Sequence, residues 1–121
     1  MLFRSTNALI RDGRLVNLDM VGNRIGGITF GPKRVVILVG RNKIVPDLET
    51  AMERIRNCAA PANAIRHHTG GHPELNPPCV ITGVCSDCSS PMRICNTWTI
   101  TEKSFPRGRI TVVLVNRDLG L

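Results

Sequence analysis

Apolar residues change their period along this chain. Val35 to Val39, after the break at Gly31-Pro32, form a continuous β-branched and aliphatic run, the pattern of a strand buried on both faces, and Ile110 to Val115 repeats it. Between these runs, from Pro46 onward, Leu48, Met52, Ile55 and Ala59 fall at helical spacing. Asp47 and Glu49 stand in the first turn and Arg54 and Arg56 near the last, where each charge complements the helix dipole. The spacing predicts a helix that Pro61 kinks or ends, with Ala62 to Arg66 adding a turn. A strand, a helix, an excursion and a second apolar strand make a β-α-β unit of an α/β fold. The loop Gly40-Arg41-Asn42-Lys43 then lies at the carboxyl end of the first strand, where ligands gather in open α/β sheets.

The flanks read as short strands and turns. Asp12-Gly13 marks a turn before the strand Leu15 to Leu18, and the glycine-containing stretch Val21 to Phe30 is expected to end as a strand. Residues 67 to 96, rich in His, Gly, Pro and Cys, form a long irregular loop, and a loop of that length in a small domain calls for a reason. Thr97 to Thr101 alternates in strand fashion, and Pro106 to Gly108 is a turn.

A chain of 121 residues holds one domain, 1 to 121, whose small core makes a stabilising metal or partner chain expected. No apolar run is long enough to cross a bilayer, and Met1-Leu2-Phe3-Arg4 opens no secretory leader. The expectation is a cytoplasmic, reducing compartment. The formal charge is +7, from 16 basic and 9 acidic residues, yet the basic residues are dispersed and only three Phe, one Trp and no Tyr are present. Nucleic-acid binding is therefore not expected, since neither a basic patch nor a stacking platform is visible.

Four of the five cysteines, Cys79, Cys85, Cys88 and Cys95, fall within CVITGVCSDCSSPMRIC. In a reducing compartment such a cluster reads as a metal or redox site rather than a disulfide framework. Cys85 and Cys88 form a C-x2-C knuckle, and Gly83, Ser86 and Ser89 let the loop bring the outer sulfurs round. Four soft ligands suit zinc or an iron-sulfur cluster, and the spacing leaves that choice open. His67, His68 and His72 are candidates for a second metal site, against the plainer reading of solvated loop histidines.

STNALIRDGRLVN, GNRIGGITFGPKRVVILVGRNKIVPDLETAMERIRNCAAPANAIR, PCVITGVCSDCSSPMRICN and GRITVVLVNRDLGL resemble, in order and nearly without gaps, the carboxy-terminal part of the LUD (lactate-utilisation, formerly DUF162) domain. The resemblance implies a three-layer α/β/α sandwich of the kind shared with ribose-phosphate isomerase, glucosamine-phosphate deaminase and CoA transferases. It also implies a link to lactate oxidation, in which some members work beside iron-sulfur subunits. It supplies no reaction. Full LUD domains carry an upstream segment, so the expectation is a partial domain whose open strand edge and apolar face are covered by a second copy. Cys58 stands where the family more often has an aliphatic residue, and is expected to pack as a small apolar side chain.

Asn7, Asn23, Arg24, Asn42 and Lys43 are polar residues at turns or strand ends within the matching segments, a candidate site for a carboxylate or phosphate. Ordinary turn chemistry is the plainer reading. No Glu stands in a Gly-rich loop, and neither a Ser-His-Asp arrangement nor a Walker loop is present, so no catalytic residue is assigned. The leading expectation is a metal-binding accessory or redox-linked component of lactate or organic-acid utilisation. The alternatives are an enzyme or binding protein for a small carboxylate or sugar phosphate, complete only as an oligomer, and a structural remnant.

Overall fold

The computed structural model describes residues 1–121, and its first third forms the strands β1 (Leu2–Ser5), β2 (Ala8–Ile10) and β3 (Leu15–Asp19). The Asp12-Gly13 turn joins β2 to β3: the backbone N–H and guanidinium of Arg14 donate to the Asp12 carboxylate at 3.0 and 2.8 Å. Helix α1 (Ile25–Thr29) replaces the strand expected before Phe30. Asp19 is the reason. Its carboxylate, at the end of β3, accepts from the backbone N–H groups of Arg24 and Ile25 at 2.9 and 2.8 Å, satisfying donors that the first turn of a helix leaves free.

Strand β4 (Val35–Gly40) leads through a 3-10 turn (Arg41–Lys43) into β5 (Ile44–Val45). Helix α2 (Leu48–Arg54) starts where the sequence predicts, with the Asp47 carboxylate accepting from Thr50 N–H at 2.7 Å. Pro61 does not end it. A π turn over Ile55–Ala59, in which Ala60 N–H donates five residues back to Ile55, resets the register, and α3 (Ala60–Thr69) continues with Pro61 in its first turn. A proline there costs no helical hydrogen bond. His67 and His68 consequently belong to α3, not to the loop. The remainder of the excursion contains one short helix, α4 (Cys79–Thr82), which ends at Gly83 in the left-handed conformation that glycine adopts without strain. Strands β6 (Thr97–Thr101) and β7 (Ile110–Val115) complete the chain.

Two sheets result. Strands β1, β4 and β7 form a parallel sheet in that order, while β5, β2, β3 and β6 form a mixed one. The β-α-β expectation holds in that β4 and β7 pair in parallel, Val35 opposite Ile110, whereas β6 joins the other sheet. One core, with Ala8, Ile10, Val16 and Leu18, lies between the mixed sheet and Ala51 and Ile55 of the long helix. The other lies between the sheets, where Leu9 and Leu15 meet Val35, Ile37, Val39 and Ile28.

The predicted burial of the two apolar strands on both faces is corrected. Val35, Ile37 and Val39 are buried, but Leu38 is 42% exposed and Val112, Val113 and Leu114 of β7 are exposed as well. β7 pairs only with β4, and the outer face of the parallel sheet, carrying Phe3, Leu38 and Val113, has no layer of this chain against it.

Candidate functional site

The long helix and the cysteine segment enclose a narrow recess of about 20 Å³. All four clustered cysteines line it, against Ala60 and Pro61 of α3. The π turn places these two residues there, and with them Arg56. The loop is held by one arginine: Arg93 donates to the carbonyls of Cys88 and Cys95 at 2.6 and 2.9 Å and to the Asp87 carboxylate at 2.7 Å. Asp87, left-handed at φ 48, bridges to Arg56 at 2.8 Å, and Arg56 lies over the Trp98 ring. The Asp87 backbone N–H points at Cys85 Sγ, 3.5 Å away. Burial pushes the Cys79 and Cys95 thiols up, with the neighbouring cysteines adding to it, while Arg93 pulls Cys95 back. No three or more His, Cys, Asp or Glu side chains are grouped so that they could hold a metal ion as they stand.

A second cavity, of about 340 Å³, adjoins the first and shares Ala60, Ile94 and Cys95 with it. It contains three of the five predicted ligand residues, Asn7, Asn23 and Arg24. Arg24 is held by Asp19 at 2.5 Å and by Asn7 Oδ1 at 2.6 Å, an ion pair that fixes the start of α1. Asn63, Arg66 and His67 of α3 complete the wall.

Asn42 and Lys43 are not in this cavity, and the single pocket expected from all five residues is corrected on that point. The segment after β7 folds back over the carboxyl end of β4. Asn42 Oδ1 accepts from Leu119 N–H at 3.0 Å and its Nδ2 donates to Gly120 O at 3.2 Å. Gly40 permits this approach, since a Cβ there would lie 2.5 Å from the Leu119 nitrogen. Beneath it Lys43 is 5% exposed and donates to Ser5 Oγ at 2.9 Å and Thr6 O at 3.1 Å, with no carboxylate partner. Burial, assisted by Arg54, Arg24 and Arg66, pushes its amine down to about 8.

A family profile described as LUD domain matches residues 1–115. The chain belongs to the LUD domain family. No curated protein and no solved structure matches it.

In this LUD domain the three histidines do not form a metal site. His68 Nδ1 lies 3.1 Å from Leu75 O, His72 Nδ1 lies 3.1 Å from Glu74, and the His67 and His72 rings are 6.3 Å apart. Cys58, within the π turn, is exposed rather than packed. No helix is long and apolar enough to cross a membrane. Sequence reasoning missed Arg56, Asp87 and Arg93 around the cysteines and Asn63 and Arg66 in the second cavity. The only signal for the first group was the interleaving of Asp87 and Arg93 with the cysteines themselves.

Proposed function

We propose that this LUD-domain protein holds an iron-sulfur cluster on Cys79, Cys85, Cys88 and Cys95 and serves lactate or related organic-acid utilisation as a redox-linked component. The observation that carries the reading is that all four clustered cysteines, a set of soft donors suited to an iron-sulfur core, line one recess. Further support comes from Arg56 and Arg93, whose charges offset those of thiolates, and from the Asp87 N–H aimed at a sulfur, a hydrogen bond of the kind that tunes cluster potentials. When bound, a cluster accepts and returns single electrons, here from and to a redox partner protein. Filling the narrow recess requires the loop to spread, which the segment from Gly83 to Asn96 permits, having no helix or strand within it.

Within this reading the compartment is the cytoplasm, the partners are iron-sulfur or lactate-oxidation proteins, and the two sheets belong to a three-layer sandwich like that of the ribose-phosphate isomerases and CoA transferases. A second copy is the proposed cover for Phe3, Leu38 and Val113, because an apolar parallel sheet is ordinarily covered on both faces. Sedimentation equilibrium of the purified chain is expected to give a dimer or larger assembly; a monomer at micromolar concentration rejects this arrangement.

Protein purified without oxygen is expected to contain about four irons per chain and to absorb broadly near 400 nm, and Cys88→Ser to lose both. About one zinc per chain and no colour would replace the cluster with a structural clasp. No metal in either protein would overturn the assignment.

A further inference from the structure

The larger cavity carries a charge imbalance that the fold does not use. Its one acidic residue, Asp19, is already engaged by the backbone N–H groups of Arg24 and Ile25 and by the Arg24 guanidinium. Two arginines face the space. Arg24 makes its hydrogen bonds through Nε and Nη2, which leaves Nη1 for a ligand. Arg66 has no carboxylate partner; its single hydrogen bond, 2.6 Å to Asn63 Oδ1, uses Nη2 and leaves the other N–H groups of its planar fork unused. Behind this wall the buried Lys43 adds a cation with no acid beside it. Ile55, Leu75 and Ile94 give the lining an apolar part, and the volume of about 340 Å³ is within the range of small-molecule sites.

We propose that this cavity binds a small organic anion, a carboxylate or phosphate monoester, held through its charged group by Arg66 and Arg24 with its body against Ile55 and Ile94 beside Cys95. Arg66 is the principal determinant, because Arg24 is largely committed to Asp19 and Asn7 whereas Arg66 is free to form a bidentate pair. The site stands without the cluster. One part rests on the cluster reading: since Cys95 lines both cavities, an anion bound here lies next to one of the cluster's ligands, and its arrival alters the cluster's spectrum.

The test is thermal shift with pyruvate as the carboxylate probe and ribose 5-phosphate as the phosphate probe, at constant ionic strength, on oxygen-free protein. At least one probe is expected to give a saturable rise in Tm, and the responding probe identifies the charged group. Arg66→Ala is expected to weaken that response at least about tenfold, the loss of a charged hydrogen-bonded pair. Arg11→Ala, on an exposed turn, is expected to leave it unchanged. No saturable response, or equal weakening by the two variants, overturns the site. The two proposals fail separately. A colourless Cys88→Ser protein that still answers the probe supports the anion site by itself, and an iron-free wild type that answers it rejects only the cluster. An intact cluster with no probe response rejects only the anion site. Saturation by the probe with an unchanged cluster spectrum overturns the placement beside Cys95.

Discussion

Replacing Arg109 with Met is expected to lower the stability of the folded chain by about 3 to 5 kcal/mol, a large part of the roughly 5 to 15 kcal/mol that holds a domain together. The Arg109 side chain lies at the start of β7, where it donates to Ile28 O at 2.6 Å, Pro32 O at 2.8 Å and Gly27 O at 3.2 Å. These carbonyls belong to the end of α1 and the turn before β4, and a five-residue helix has few internal bonds to spare. Arg109 is 9% exposed, so removing it leaves buried acceptors without donors, which costs more than the net worth of the bonds themselves. Urea unfolding measures the effect, with exposed Arg107→Met as the control within about 0.5 kcal/mol of wild type. Lysine, with one point charge in place of a planar fork, restores only part of the loss. An Arg109→Met protein as stable as the control would show that α1 and β7 hold together without this clamp.

The second large effect is a dependence of stability on pH above neutrality. Lys43 has its amine pushed from 10.5 down to about 8, first by burial and then by Arg54, Arg24 and Arg66. A group whose pKa is depressed on folding binds fewer protons in the native state, so stability rises with pH between the two values. Below about pH 8 the lysine is charged in both states and its burial penalty is fully present; above about 10.5 it is neutral in both and the penalty is gone. The gain across that window is on the order of 3 kcal/mol. Lys43→Met is expected to remove this rise and to be more stable than wild type at pH 7 by about 1 kcal/mol, because the hydrogen bonds lost to Ser5 and Thr6 offset part of the relief. Urea unfolding of both proteins at pH 7, 8, 9 and 10 decides it. A wild-type stability that is flat over this range, or falls, contradicts the account of Lys43 as a buried cation without a counter-ion. Anion binding bears on the same residue: a negative ligand in the adjoining cavity lowers the cost of keeping Lys43 charged.

Local signals in the sequence were right where local chemistry decides the outcome. Asp47 before a run at helical spacing made α2 legible, because the cap and the stripe are satisfied within one turn. The Asp12-Gly13 turn was legible for the same reason. The errors share a cause. The stretch Val21 to Phe30 was expected to end as a strand, yet the Asp19 carboxylate at the end of β3 supplies acceptors for the Arg24 and Ile25 N–H groups that start a helix. Pro61 was expected to end or kink the helix because a proline lacks a donor; a π turn before it shifted the pattern so that no donor was missed.

What the sequence by itself determined is the α/β class, the long helix, the two apolar strands and the membership in the LUD domain family. Each of these depends on periodicity, capping or order along the chain. The tertiary structure alone decided which strand faces are covered, and that the predicted ligand residues separate into Asn7, Asn23 and Arg24 in a cavity and Asn42 and Lys43 under the folded-back end of the chain. It also decided that Arg66 of α3 shares that cavity and that Cys95 lines both spaces. These are contacts between segments distant along the chain, fixed by how two sheets and a helix pack, and no pattern of neighbouring residues records them.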